Sequence, residues 1–125
     1  MENFGFPAEQ KMRLDREVER VRRKGRRVSD SLLILTWAER EATGSPRPPV
    51  PRIAIRVPRN VGEAVLRNRM KRLVREAFRL QKDRLRPGTD LLVGIKPLEG
   101  SDQLGYEDMR RRFEALCRKA GIWTD

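Results

Sequence analysis

A long amphipathic segment between two short apolar runs constrains the fold of this chain more than any other feature of its sequence. Apolar side chains alternate over Arg52–Val57, which predicts a strand with one buried face. Asn60 and Glu63 have the spacing of an N-cap pair, so we predict a helix from there to about Arg84. The apolar run Asp90–Ile95 predicts another strand. A strand, helix, strand unit of this kind indicates a sheet with a helix packed on it.

The rest of the sequence predicts two more helices and a further strand around that unit. Apolar residues recur at helical spacing over residues 9–24 and 106–120, which predicts a helix in each range. Residues 31–37 are apolar and partly β-branched, as in a buried strand. Prolines concentrate in residues 39–51, which predicts a surface loop. We therefore expect one domain over the whole chain, with residues 1–8 as a flexible tail.

The charge balance of the chain indicates a polyanionic partner. Its 125 residues include 29 Lys and Arg against 18 Asp and Glu, a formal net charge of +11. Such a charge causes self-repulsion unless a polyanion offsets it, so nucleic acid is the leading partner. An anionic membrane also fits the sign of the charge, but interfacial helices need a large apolar face with aromatic anchors. The apolar side of the predicted central helix is narrow and aliphatic, which disfavours a membrane.

The sequence lacks the residues that many hydrolytic and metal sites require. It has no His, which excludes serine–histidine, cysteine–histidine and histidine-ligated metal chemistry. Its single cysteine, Cys117, lies at apolar helical spacing and is expected in the core. The longest strongly apolar stretch is residues 32–35, and the amino terminus carries Glu2 and Glu9 where a signal peptide is basic. We therefore expect a soluble protein in a reducing, cytoplasmic setting.

The predicted central helix has an apolar stripe and a cationic side. The stripe, which we expect to face the sheet, consists of Leu66, Met70, Leu73, Ala77 and Leu80, with Val74 at its margin. The cations of the other side are Arg67, Lys71, Arg72, Arg75, Arg79 and Lys82. Only Glu76 and Asp83 offer acidic partners there. Because like charges one turn apart destabilise a helix, this row indicates phosphate binding rather than a merely solvated face.

The same helix matches a known family signature. The matching positions are Gly62, Ala64, Val65, Arg67, Asn68, Arg69, Lys71, Arg72, Arg75, Glu76 and Phe78. In these residues the chain resembles the bacterial ribonuclease P protein component, and Glu63 departs from the signature, which has Asn there. A basic first helix, a turn at Gly25, and the strands and helix that follow extend the resemblance from about Lys11 to Ala120.

The resemblance implies an α+β fold. The expected domain is a compact two-layer sandwich of about four strands in one sheet and three helices, in the order α-β-β-β-α-β-α. This fold is similar to the second domain of ribosomal protein S5, and the family has an unusual left-handed crossover around the signature helix. Connections of this kind are right-handed in most proteins, so the expected handedness depends on the resemblance alone.

The resemblance also implies a function. In this family the protein binds a large catalytic RNA, and together they remove the 5′ leader of precursor tRNA by endonucleolytic hydrolysis. The RNA subunit and the magnesium ions that it binds carry the chemistry, so no catalytic residue, no protein metal site and no protein-only cleavage are expected. The residues agree, because scattered carboxylates without histidine do not easily form a two-metal nuclease site. The expected partners are the catalytic RNA subunit and precursor tRNA, not DNA or a membrane.

The resemblance assigns two RNA contacts to this chain. The residues implied for RNA binding are Arg59, Asn60, Arg67, Asn68, Arg69, Lys71, Arg72, Arg75 and Arg79. A cleft between the first helix and the sheet is implied for the leader, with Val18, Arg22, Leu33, Thr36 and Arg56. The family has aromatic residues at the first four of these cleft positions, and none of the four is aromatic here. We therefore predict a weak preference for leader sequence, with contacts to the RNA backbone dominant.

Three other functions are weighed against this one. A ribosomal or assembly protein that coats RNA has the same charge and fold, but it does not need the Arg67–Arg69 block and the cations downstream. A stand-alone nuclease would need metal ligands, for which the candidates are Glu63, Glu76, Asp83 and Asp90. Of these, Glu76 and Asp83 lie on one helix face, which is too little for two metals. Helix-turn-helix DNA binding is disfavoured because the signature helix lies between predicted strands.

Overall fold

The structure is a computed structural model that describes residues 15–40 and 49–124. Within these ranges the helices are α1 (Asp15–Lys24), α2 (Ala64–Gln81) and α3 (Tyr106–Ala120). The strands are β1 (Arg26–Ser29), β2 (Leu33–Glu39), β3 (Arg52–Arg56) and β4 (Thr89–Ile95). The observed order of elements, α-β-β-β-α-β-α, confirms the predicted α+β fold class.

The four strands form a mixed sheet in the order β1-β2-β4-β3. β2 pairs antiparallel with both β1 and β4, whereas β3 lies parallel to β4. A parallel pair needs a crossover connection, and α2 provides it, packed against β3 and α3. The left-handed sense of this crossover stays a prediction.

Both faces of the sheet are covered, at least in part, by helices. On one face Leu35 and Val93 belong to the main core, which α3 completes with side chains such as Phe113. On the other face α1 packs Val21 against Leu92 in a smaller cluster. Because β4 is covered on both sides, six of its seven residues are buried.

The region around β2 and the proline-rich loop differs slightly from the prediction. β2 ends at Glu39 rather than at Trp37, because Glu39 still pairs with β4. The predicted loop of residues 39–51 therefore begins one residue later, and its residues 41–48 lie outside the described part of the chain. Residues 1–14, with the predicted tail and the start of the first predicted helix, also lie outside it.

One strand was not located in the sequence, and one local prediction is wrong. The sequence pattern did not locate β1, because the residues Arg26–Ser29 are exposed or half-buried and carry no apolar alternation. The predicted N-cap pair of Asn60 and Glu63 is wrong, because Asn60 lies in a separate 3-10 turn that ends before the helix begins. Glu63 is the N-cap residue of α2 and makes no side-chain capping hydrogen bond. At its other end α2 stops at Gln81, and a 3-10 turn continues to residue 84.

The buried stripe of α2 is turned relative to the predicted one. Met70, Val74 and Ala77 are fully buried, and so is Phe78, which the prediction left out of the stripe. Leu80, which was expected to face the sheet, is 57% exposed. The physical reason is that α2 packs against α3 as well as β3, so its buried side lies between two neighbours rather than over the sheet alone.

Cys117 lies in the main core, as predicted. Its side chain is fully buried, and burial raises the pKa of its thiol to about 12. The residue therefore behaves as a small neutral hydrophobe at physiological pH.

The helices are amphipathic rather than uniformly apolar. α2 is the longest at 18 residues, but charged side chains recur along its whole length. Across residues 15–40 and 49–124, no helix combines the length and the apolar character that crossing a membrane requires.

Candidate nucleic-acid interface

A cationic groove follows the outer face of α2. Its walls come from α2 and from Tyr106, the first residue of α3, and its volume is about 600 Å³. The lining residues of this α2 groove are Asn68, Lys71, Arg72, Leu73, Arg75, Glu76, Arg79 and Tyr106. The structure thus brings together five of the nine residues that the resemblance implies for RNA binding.

The start of α2 depends on a glycine and an arginine. Gly62 has φ of 155°, and a Cβ atom at this position would lie 2.7 Å from Cδ2 of Leu66. The Nε of Arg67 donates to the carbonyl oxygen of Gly62 at 3.1 Å. Arg59 and Asn60 precede this junction in an exposed 3-10 turn. Arg59, Asn60 and Arg67, three positions of the predicted interface, are therefore placed by backbone geometry before and at the first turn of the helix.

Arg69 has a structural contact that the sequence does not indicate. Its guanidinium donates to the carbonyl oxygen of Asp102 at 3.3 Å and to that of Leu104. Both acceptors lie in the segment that leads into α3, so the side chain ties α2 to α3. Some of the donors that the resemblance assigns to RNA are occupied within the protein.

The cations of the α2 groove differ in how far they are neutralised. Arg79 donates from Nε and Nη2 to the two carboxylate oxygens of Glu76, at 3.1 and 2.6 Å. This hydrogen-bonded pairing lowers the pKa of Glu76 and raises that of Arg79. Lys71 and Arg72 form no ion pair with any residue that the structure describes. Their charges are therefore available to an external anion.

The predicted leader cleft lies between α1 and the sheet face on which α1 packs. Val18, Thr36 and Arg56 belong to this face, but Thr36 is buried there, and Arg22 is exposed on α1. Leu33 is wrong as a cleft residue, because it is fully buried in the main core on the opposite face. The reason is strand alternation: Leu33 and Thr36 are an odd number of residues apart and point to opposite sides of the sheet.

The open part of this face contains residues that the sequence prediction missed. The strand register places Ile34 of β2, Gly94 of β4 and Arg56 of β3 side by side. Arg27 of β1 pairs with Thr36 and is exposed on the same face. We call the surface between α1 and these residues the α1 cleft. Alternation would have indicated Arg27 if β1 had been located in the sequence.

A buried carboxylate holds α1 against the sheet. Asp90, near the start of β4, is fully buried and accepts hydrogen bonds from three arginines. Arg52 of β3 donates to its carboxylate oxygens from Nε and Nη2, both at 2.9 Å. Arg20 of α1 donates to the same carboxylate at 2.7 Å, and Arg40 also donates to it. Arg52 further donates to Glu17 of α1 at 2.9 Å. This Asp90 cluster ties one wall of the α1 cleft to the strands that form its floor.

The charge state of Asp90 follows from its partners. Burial by itself would raise the pKa of Asp90, but the hydrogen bonds and charges of Arg52 and Arg40 bring it below its ordinary value. Asp90 in turn raises the pKa of Arg52. The carboxylate is ionised at neutral pH with its oxygens occupied by guanidinium groups. Within the described ranges, no group of three or more Cys, Asp or Glu residues could hold a metal ion.

Gly25 allows α1 to lie directly against β2. Its backbone N–H donates to the carbonyl oxygen of Val21 at 2.8 Å. A Cβ atom on Gly25 would lie 2.4 Å from that oxygen and 2.7 Å from the carbonyl oxygen of Trp37. A larger residue here would force the backbone to shift, so the close approach of α1 to the sheet requires glycine.

A mixed sheet with an arginine-rich helix on one face and a basic helix on the other defines a small α+β domain with two cationic surfaces. The family model of Ribonuclease P matches residues 6–121 of this chain. The chain therefore belongs to the ribonuclease P protein family, whose members are protein components of a tRNA-processing ribonucleoprotein.

Individual relatives agree with this assignment. The ribonuclease P protein component of Dictyoglomus thermophilum is 36% identical over 118 residues, which cover 94% of this chain and 93% of the relative. That of Herpetosiphon aurantiacus is 36% identical over 116 residues, covering 93% of this chain and 88% of the relative. The chain thus matches its relatives over nearly their full length.

Solved structures share the fold. The RNase P protein of Staphylococcus aureus superposes with a TM-score of 0.77 at 20% identity, covering 92% of this chain and 98% of the other. The RNase P protein of Thermotoga maritima gives a TM-score of 0.70 at 25% identity, covering 86% of this chain and 96% of the other. The helices and the mixed sheet described above are therefore the fold of this family.

Proposed function

We propose that this chain is the protein subunit of ribonuclease P and assists the magnesium-dependent removal of the 5′ leader from precursor tRNA. In this role it binds the catalytic RNA subunit through the α2 groove and the leader in the α1 cleft. The observation that carries the proposal is the α2 groove, where residues of the family signature lie together and two of them, Lys71 and Arg72, have no ion pair among the described residues.

The chemistry of the α2 groove suits RNA. The guanidinium of Arg72 can bind a phosphate with two parallel hydrogen bonds, and Lys71 adds a mobile point charge beside it. Tyr106 contributes a ring to the same groove. Val65, a signature position on α2, is 81% exposed. Core packing does not explain why an exposed valine belongs to the signature, whereas a role in an interface would explain it.

The α1 cleft suits a single RNA strand held mainly by its backbone. Arg22, Arg27 and Arg56 are exposed around it, and Ile34 and Gly94 contribute to its floor. None of these five residues is aromatic, so base stacking on rings does not contribute here. Weak preference for leader sequence and strong dependence on salt are the expected consequences.

In the proposed holoenzyme the RNA subunit binds the magnesium ions that supply the hydrolytic chemistry. This chain binds and orients the two RNAs and contributes no catalytic residue. Its carboxylates support that division, since Asp90 and Glu76 already accept hydrogen bonds from arginines. The proposed setting is the cytoplasm, with RNA rather than DNA or a membrane as the partner.

The test is cleavage of precursor tRNA at low magnesium by a bacterial ribonuclease P RNA, with the chain, without it, and with the chain alone. We expect cleavage only when RNA and protein are both present. No stimulation by the chain, despite tight and salt-sensitive binding, would indicate an RNA-coating protein and overturn the proposal. Cleavage by the chain alone would show that the carboxylates do form a nuclease site.

A further inference from the structure

A second cationic cavity lies beside α1, away from the residues of the α1 cleft. Its volume is about 420 Å³. Its walls include Arg20, Lys24, Arg26, Trp37, Glu39 and Arg86, together with residues 120–122 at the end of α3. This Trp37 cavity contains none of the residues that the α2 groove or the α1 cleft uses.

The cavity exists because β1 is shorter than β2. β1 begins at Arg26, which pairs with Trp37. Residue 38 and Glu39 of β2 therefore have no strand partner on that edge within the described part of the chain. The Nη1 of Arg20 approaches the carbonyl oxygen of Glu39 at 3.5 Å. The gap that remains lies between the carboxyl-terminal ends of α1 and α3.

Two of the four cations around the cavity are unneutralised. Lys24 and Arg26 are exposed and make no ion pair or side-chain hydrogen bond with any residue in the described ranges. Arg86 forms only an exposed pair with Glu39 at 3.4 Å, which is worth little in solvent. Arg20 is engaged by the Asp90 cluster. The cavity therefore has a net positive charge and two donors ready for an anion.

Helix geometry separates this cavity from the α1 cleft. With about 100° between successive residues of a helix, Val18 and Arg22 lie roughly 60° and 100° to one side of the buried Val21. Lys24 and Arg20 lie at about the same angles on its other side. The two sites thus occupy opposite flanks of α1, and one strand of RNA in the α1 cleft leaves the Trp37 cavity free.

We propose that the Trp37 cavity binds one unpaired nucleotide of RNA, its phosphate at Lys24 and Arg26 and its base against the Trp37 ring. A ring beside unneutralised cations is the combination that binds single-stranded nucleic acid. Trp37 is half-buried, so only a base that has left its duplex can reach it. The inference rests on the proposed function, because both sources of such a nucleotide, the leader and the catalytic RNA, are partners assigned there.

The first experiment compares a variant of the cavity with a matched control. Lys24→Ala combined with Arg26→Ala removes one lysine and one arginine from the cavity. Arg111→Ala combined with Lys119→Ala removes the same charges from exposed positions of α3. We expect the cavity variant to bind RNA about tenfold more weakly and the control less than twofold more weakly.

The arms of this experiment identify the source of the nucleotide. Affinity is measured for the catalytic RNA alone, and for precursor tRNA with and without its leader on the holoenzyme. A loss confined to the precursor with a leader assigns the nucleotide to the leader, and a loss with the catalytic RNA alone assigns it to that subunit. If the cavity variant behaves like the control in every arm while the wild type stimulates cleavage, this inference is overturned and the proposed function stands.

A second measurement does not depend on cleavage. In a Trp123→Phe background Trp37 is the only tryptophan of the chain. We expect a short single-stranded RNA to quench its fluorescence, and Lys24→Ala with Arg26→Ala to weaken that titration about tenfold. Absence of quenching, or displacement of the RNA by an equal concentration of polyglutamate, would overturn the assignment; displacement would point to an acidic peptide instead.

Discussion

The α2 groove and the α1 cleft lie on opposite sides of the sheet and differ in how their residues are positioned. The groove draws all but one of its lining residues from a single helix. The cleft combines α1 with all four strands, and α1 is attached through Asp90 and Arg52. Removing charges from the groove should therefore affect binding without affecting folding, whereas changes beneath the cleft should affect both.

The largest expected effect tests the attachment of α1. Asp90→Asn leaves Arg20, Arg40 and Arg52 close together without their shared carboxylate. Breaking a buried ion cluster in this way costs about 3–5 kcal/mol, which urea unfolding would measure. Asp83→Asn, at an exposed position after α2, is the control and should change the free energy of unfolding by less than about 0.5 kcal/mol. Equal effects of the two variants would contradict the role of the Asp90 cluster.

A smaller loss is expected at the junction of α1 and β1. Gly25→Ala places a Cβ atom against the carbonyl oxygens of Val21 and Trp37, so the backbone must move. We expect a loss of about 1–3 kcal/mol in the free energy of unfolding, as in other overpacked sites. The matched control is Gly94→Ala in β4, where the added atom meets only Ile34, at an ordinary contact distance of 3.9 Å. If both variants unfold alike, the close approach of α1 to β2 is not needed for stability.

The α2 groove should show the opposite behaviour. Lys71→Ala with Arg72→Ala should weaken binding of the catalytic RNA about tenfold and flatten its salt dependence, because fewer counterions are released. The free energy of unfolding should change by less than about 0.5 kcal/mol, since neither side chain has an ion pair among the described residues. Arg111→Ala with Lys119→Ala again provides the control. A large loss of stability in the Lys71 and Arg72 variant would remove the contrast between the two surfaces.

The smallest effect concerns pH. Because the pKa of Asp90 is lowered in the folded state, its stabilising contribution is present above its unfolded pKa of about 3.9 and is lost as the pH falls through the folded value. The difference in unfolding free energy between wild type and Asp90→Asn should therefore be constant near neutral pH and shrink below about pH 4. Urea unfolding at several pH values measures it, and a difference independent of pH would contradict the charged cluster.

Sequence patterns predicted the α2 groove better than the α1 cleft. Lys71 and Arg72 could be placed on the outer side of α2 because helical spacing is local and regular. Leu33 was misplaced because the resemblance supplied a position along β2 but not the face of the sheet to which that side chain points. β1 was missed because its residues carry no apolar alternation. The turned stripe of α2, with Phe78 in and Leu80 out, depends on α3, which is remote in sequence.

The sequence by itself determined the family, the helices and all strands but β1, the strong positive charge and the cationic helix, because each of these depends on a motif, on composition or on neighbours within a few turns. The tertiary structure decided which arginines remain available to RNA. Arg69 is tied to Leu104, and Arg52 and Arg20 are tied to Asp90, through contacts that join residues 35 to 70 positions apart. The Trp37 cavity likewise forms only where a short strand, two helix ends and a distant Arg86 meet. Such contacts depend on the packing of the whole chain, which no local pattern of residues contains.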